Sequence, residues 1–227
     1  MERFSMYLRL LRVFLTSLFS FLTIILTAQS NYDTPLPQYL YPEFSSAIVK
    51  MKNGNSLTAK MNYNMVTGNM VFVRDGKLYD LLNPETIDTV YLQNCKFVHF
   101  EKVFYEVIVA APISLFLHHN GSLAPAGKPA GYGGTSHTSS ITTLSGFQSG
   151  NAYYNLELPP DFIVKVDRVY WIRKDNNMSS FMNMKQFLKI FPDKESNLNE
   201  YIKKNHIKFE RRNDLIKLIG YCNELIM

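Results

Sequence analysis

His118 and His119 are the first residues in this 227-residue chain whose type and spacing could do chemistry. Imidazoles hold metal ions and move protons near neutral pH. Adjacent side chains on a strand point to opposite faces, however, so the pair cannot close on one ion, and no second ligand pair stands beside it. His99 and His137 would join only through the tertiary fold, and no metal site is expected. Carboxylate pairs for acid–base work give the same answer. Asp161 and Asp167 flank one apolar segment and Glu101 and Glu106 bracket a turn, but nothing in the sequence marks them as buried or paired, and solvated strand edges are expected. A phosphate loop would need glycine where Ser122 stands and Ser or Thr where Pro129 follows Gly127-Lys128. In Gly146-Phe147-Gln148-Ser149-Gly150 the serine comes one place late for a nucleophile elbow. The reading therefore assigns no catalytic residue and no cofactor, and an enzyme is the less favoured class.

Two surface features remain. Lys203, Lys204, Lys208, Arg211 and Arg212 gather in the last quarter of the chain and form the candidate surface for an anionic partner. Placement near helix ends, where a cation suits a carboxyl terminus, is the plainer explanation for them. Tyr39, Tyr41 and Phe44 lie in a proline-rich lead-in and form the candidate protein-interaction segment, able to add as a strand to a partner sheet.

Those residues need a frame. The composition is 46% hydrophobic, 14% aromatic and 19% charged, which supports a packed core and excludes a collagen, a coiled coil or a disordered tail. Pro35, Pro37 and Pro42 keep the lead-in from forming regular helix or central strand. Turn signals then follow at Asn53-Gly54, Thr67-Gly68-Asn69, Asp75-Gly76, Asn83-Pro84 and Asn120-Gly121, and the segments between them should pair antiparallel. The expected strands are Ala47 to Lys52, Ser56 to Tyr63, Met70 to Arg74, Lys77 to Leu81, Thr86 to Leu92, Lys96 to Phe100 and Phe104 to Ala110. Residues 120–151, rich in Gly, Ser and Thr, read as a long mobile loop or a hairpin with a mobile tip. Strands return at Tyr153 to Leu158 and Phe162 to Lys174, with Met178 to Met182 able to pair back. The period then turns helical, with a first helix from Met184 stopped by Pro192, a second capped by Ser196 or Asn197, and a third capped by Asn213. The spacing predicts an α+β fold, a mostly antiparallel β meander forming a small barrel or sandwich, with a C-terminal tail of short helices docked on it. The boundaries are 29–183 for the β domain and 184–227 for the tail.

Residues 1–28 read as an export signal. Arg3, Arg9 and Arg12 make a basic front, Val13 to Leu26 an apolar stretch, and Thr27-Ala28-Gln29 a cleavage point. An uncleaved anchor is the rival, but the apolar stretch falls short of the ~20 residues that span a bilayer. Cleavage removes three basic residues and one acidic one, so the formal charge of +5 shrinks, and the remaining surplus sits in the helical tail. An oxidising compartment would let Cys95 and Cys222 pair, although two cysteines beside an ample core read better as buried thiols. Nucleic acid is not an expected partner outside the cytoplasm.

Several segments carry a likeness. Tyr41-Pro42-Glu43-Phe44 precedes the first strand, Gly54 sits in the first hairpin, and Asn62-Tyr63-Asn64 is followed by Gly68-Asn69-Met70. The tail adds Leu188-Lys189-Ile190-Phe191-Pro192 and Tyr201-Ile202-Lys203-Lys204-Asn205. In this order, with the Ala28-Gln29 cleavage point, the chain resembles a group of exported, largely uncharacterised envelope proteins of Bacteroidota. Asp88-Thr89-Val90 is similar to the short O-glycosylation acceptor of such proteins. The resemblance implies a compartment, the periplasm or the outer membrane, and transfers no functional residues. The expected function is a non-enzymatic binding or assembly protein of the cell envelope, its partner an envelope protein or an anionic envelope polymer, with peripheral outer-membrane association. The alternative is an envelope hydrolase acting on glycan or peptide through a dispersed active site.

Overall fold

The computed structural model describes residues 37–110, 112–125, 128–129, 135–136, 162–175 and 177–226. The expected export signal, the strand expected at Tyr153 to Leu158 and most of the expected loop lie outside the described residues. Ten strands form one antiparallel sheet: β1 (Ser45–Met51), β2 (Ser56–Asn64), β3 (Asn69–Arg74), β4 (Lys77–Asp80), β5 (Ile87–Leu92), β6 (Cys95–Phe100), β7 (Val103–Val109), β8 (Ser114–Pro125), β11 (Phe162–Lys174) and β12 (Asn177–Phe181). A separate two-stranded pair joins β9 (Lys128–Pro129) to β10 (Thr135–Ser136). The helices are α1 (Met184–Lys189), α2 (Glu195–Lys204) and α3 (Arg212–Glu224). Among the described residues no helix is long and apolar enough to cross a membrane.

The architecture is α+β, a largely meandering antiparallel sheet followed by short helices. The sheet is open, neither a closed barrel nor a sandwich. Its order is β12-β11-β8-β7-β6-β5-β1-β2-β3-β4, so the chain runs outward through β1 to β4, returns to place β5 beside β1, and runs outward again on the other side. Asn53-Gly54 and Asp75-Gly76 make the expected hairpin turns, both glycines having positive φ.

Period-two alternation explains which face is buried. Val49 pairs with Val90 and Val90 with Phe97. Phe97 faces Glu106, Glu106 faces Leu117, and Leu117 faces Tyr170, so all of these lie on one inner face. That face divides into two cores. Over β8, β11 and β12 the three helices bury Leu115, Leu117, Tyr170, Ile172 and Phe181 beneath Phe187, Leu198, Leu215, Leu218 and Ile219. Over β1, β2, β5 and β6 the sheet curls across itself and encloses Val49, Met61, Tyr63, Met70, Val90, Leu92, Phe97 and Phe104. Each such side chain contributes about 1.5–3 kcal/mol on leaving water, so helices too short to persist alone are held by the sheet.

The β2–β3 turn makes the curl. Beyond Glu106 and Leu117 the strands β7 and β8 diverge, and this turn wedges between them: Phe104 donates its N–H to Gly68 O at 2.8 Å and Gly121 donates to Met65 O at 2.7 Å. Gly68 has φ 72, and a Cβ there would run into Val103. A Cβ on Gly121 would lie 3.0 Å from the Met65 backbone. Asn120-Gly121 is thus no turn. It stands inside β8, paired to Asp167 and Val166 of β11, because this glycine serves a close backbone approach. The loop expected from residue 120 therefore begins no earlier than the end of β8 at Pro125.

Helix boundaries differ from expectation in one instructive way. Asn183 caps α1 by accepting from Gln186 N–H at 2.9 Å, while Gln186 Oε1 accepts from Met182 N–H at 2.7 Å. Neither α2 nor α3 has a side-chain cap: their N-cap positions are Lys194 and Arg211, and Ser196, Asn197 and Asn213 lie inside the helices. Docking on the sheet, rather than capping, sets where these helices start.

Candidate functional site

Glu106 is the most unusual residue of the molecule. The carboxylate points from β7 to the inner face, where the two cores meet, and its side chain is only 2% exposed. Burying a charge is costly unless it is paired and hydrogen-bonded, and three elements supply partners. His119 of β8 donates from Nε2 to Glu106 Oε2 at 2.7 Å. Arg212, the first residue of α3, brings its guanidinium to 2.6 Å from Oε1. The Cys95 thiol at the start of β6 adds a third hydrogen bond, and Tyr41 from the lead-in bonds to Cys95 in turn. Burial pushes the Glu106 carboxyl upward, but the bonds from His119, Arg212 and Cys95, with the charge of Arg212, outweigh it and hold the group at about 2. Glu106 is therefore not a solvated strand edge, and it stays ionised at any physiological pH.

The arrangement fixes what this cluster can do. A general acid or base needs a pKa near its working pH, and Glu106 lies far below it. A cysteine nucleophile needs a neighbouring imidazole and a depressed thiol pKa. Here burial raises the Cys95 thiol, the carboxylate of Glu106 raises it further, and the imidazole faces the carboxylate rather than the sulfur. Cys, Glu and His side chains meeting in one place invite a metal reading as well. Both Glu106 oxygens, however, are taken by the protons of His119 and Arg212, and among the described residues no group of three or more such ligands is arranged to hold an ion. The cluster ties β6, β7, β8, α3 and the lead-in together.

His118, as its spacing requires, turns the other way, toward the Tyr105 ring at 5.4 Å, and burial lowers its pKa. Cys95 and Cys222 are both free thiols, and burial pushes Cys222 up to about 12. Thr89 is buried inside β5, 1% exposed, with its hydroxyl on the Asp88 carboxylate at 2.8 Å. In the folded protein it is closed to a glycosylating enzyme.

The lead-in docks on its own chain. Leu40 donates to Tyr63 O, Met65 donates to Gln38 O, and Tyr39 bridges Asn64, so the segment extends the β1 side of the β1–β2 pairing. The Asn62 carboxamide spans the irregular stretch, accepting from Tyr41 N–H and donating to Tyr41 O at 2.7 Å and Glu43 O at 3.2 Å. Tyr39 packs edge-on to Phe44 over Val71 and Leu78 on the outer face, while Tyr41 lies against the curled inner core. Of the basic candidates, Lys203, Lys204, Lys208 and Arg211 are exposed, whereas Arg212 is committed to Glu106. Lys203 and Lys204 occupy the last turn of α2, where the helix dipole favours cations; Arg212 occupies the first turn of α3, where it does not, and Glu106 supplies the compensation.

The outer face of the sheet, away from the helices, holds a cavity of about 280 Å³. Val98, Tyr105, Val107 and Phe116 are among the residues lining it, Lys96 stands to one side and Arg173 to the other, and His99 and Ser114 also contribute. Register builds this floor, because Val98 faces Tyr105 on β7 and Val107 faces Phe116 on β8. Arg173 pairs with Ser114 and lies over the Phe116 ring at 5.3 Å, and Trp171 meets Tyr105 edge-on at 5.7 Å. The alternation Lys96, Val98, Phe100 was visible in the sequence; that these residues would face Arg173 was not. No protein-family model, curated protein or solved structure matches this chain.

Proposed function

We propose that this chain is an exported binding protein of the bacterial cell envelope, working in the periplasm or at the inner face of the outer membrane, and that it engages its partner without catalysis. The observation that carries the reading is the outer-face cavity, a recess of about 280 Å³ with an aromatic and aliphatic floor between two exposed cations. Ligand sites have this makeup, a mostly apolar surface with a few placed polar groups. The charge-satisfied state of the Glu106 cluster supports the non-enzymatic side, since its carboxylate and thiol are both held in the form that does no acid–base or nucleophilic work. The envelope compartment rests on the leader-like sequence of residues 1–28 and on the resemblance to exported Bacteroidota proteins.

The partner is an envelope protein or an anionic envelope polymer. Lys203, Lys204, Lys208 and Arg211, exposed on and beside α2, add a long-range attraction that salt would screen. Replacing Lys203, Lys204 and Arg211 with Gln should reduce retention on isolated envelopes at low salt and leave it unchanged at high salt. Equal retention by the variant and the parent at low salt would remove the tail from the account.

A further inference from the structure

Resting on that reading, we infer that the outer-face cavity takes a small ring compound bearing one carboxylate or phosphate, with the ring over the floor of β7 and β8 and the acid between Lys96 and Arg173. The size argues for a single ring. At about 280 Å³ the recess lies at the lower edge of ligand clefts, which run to roughly 1,000 Å³, so it holds one ring with its substituents and not an extended chain. The lining argues for an acid. None of the lining residues is acidic, while Lys96 and Arg173 both are basic.

The register gives the two cations their separation. They stand on β6 and β11, three strand spacings apart, or roughly 14 Å at the backbone, with β7 and β8 between them. Two long, flexible side chains can converge on one acid from that distance. Arg173 is already steadied by the Phe116 ring, and its fork can take two oxygens of a carboxylate or phosphate together. The floor argues for a flat body. Val98, Val107 and Phe116 present apolar surface across neighbouring strands. His99 also borders the recess, and burial lowers its pKa, which leaves Lys96 and Arg173 as the charges that meet the acid.

Two sources share this chemistry, an acidic sugar unit of an envelope polymer and a free aromatic acid, and titration separates them. The full chain would be titrated with glucuronate, glucose 1-phosphate and benzoate, each against its uncharged counterpart, glucose or benzyl alcohol, with backbone amide shifts of β6 to β8 as the readout. The expected result is saturable binding of at least one acid, about tenfold or more tighter than its neutral counterpart, because a charge-assisted hydrogen bond is worth at least that factor. Lys96→Gln and Arg173→Gln, both at exposed positions, should each weaken it several-fold with the fold intact. Preference for glucuronate or glucose 1-phosphate identifies the polymer unit; preference for benzoate identifies the aromatic acid. Equal binding of charged and neutral partners, insensitivity to both variants, or no saturable binding at all would overturn the inference. Should envelope capture still depend on Lys96 and Arg173 after such a failure, the ligand class falls and the binding function stands.

Discussion

A carboxylate that is 2% exposed and ionised has to be explained by its neighbours. Glu106 has His119, Arg212 and Cys95, and removing any of them leaves charge without an answer. Glu106→Gln should therefore destabilise the fold by about 3 kcal/mol, read as a lower urea midpoint with unchanged slope. The double variant Glu106→Gln/Arg212→Gln should be less unstable than the sum of the singles, since each single strands the other's partner. The pH dependence has a definite sign. The folded carboxyl sits at about 2, below its ordinary value of 4.5, so its contribution is whole above about pH 4.5 and is lost as pH falls through 2. A stability curve flat across that window in the parent, or sloping equally in Glu106→Gln, would contradict the assignment. The thiols give a second check. With both raised by burial, neither Cys95 nor Cys222 should react with iodoacetamide at pH 8 at the rate of free cysteine, and half-buried Cys95 should react before buried Cys222. The members of this cluster each stood out in the sequence, but their meeting could not be read from it. Its partners come 13 and 106 positions after Glu106, on elements whose juxtaposition depends on register and helix docking.

Among the elements, the lead-in and α3 each add specific polar contacts to their packing. Asn62 fills the break between lead-in and β2 with three hydrogen bonds to Tyr41 and Glu43, so Asn62→Ala should cost about 1–3 kcal/mol and speed amide exchange at Leu40 and Met65 before the rest of the sheet. Unchanged protection there would mean that packing of Tyr39 and Tyr41 holds the segment unaided. Helix α3 is tied at its start by Arg212 and near its end by Asn223, which accepts from Ile113 N–H at 2.7 Å. Strands with alternating residues and regular turns were legible: Phe162–Lys174 matches its expected span, and Asn53-Gly54 and Asp75-Gly76 turn where they should. Strand β8 was obscured by Asn120-Gly121, because a dipeptide that favours tight turns also suits a strand crowded by Met65. The start of α3 was misplaced for a similar reason: Asn213 has the chemistry of a cap, but the helix begins two residues earlier than that cap implies, where Arg212 pairs with Glu106.

For the whole molecule, the sheet has two unlike faces. The inner one is closed by the helices on one side and by its own curl on the other, with Glu106 between the two cores. The outer one keeps its aromatic recess and its pair of cations. The fold class was readable because periodicity is local, whereas the strand order was not: the return that sets β5 beside β1 depends on pairing between segments some forty residues apart. The central claim, that the outer face binds an envelope component, is tested most directly by capture from envelope extract with the tagged full chain, comparing the parent with Lys96→Gln/Arg173→Gln. One stoichiometric partner or polymer retained by the parent and lost by the variant is the expected result. Recovery of the same material by both, or of nothing by the parent, would contradict it.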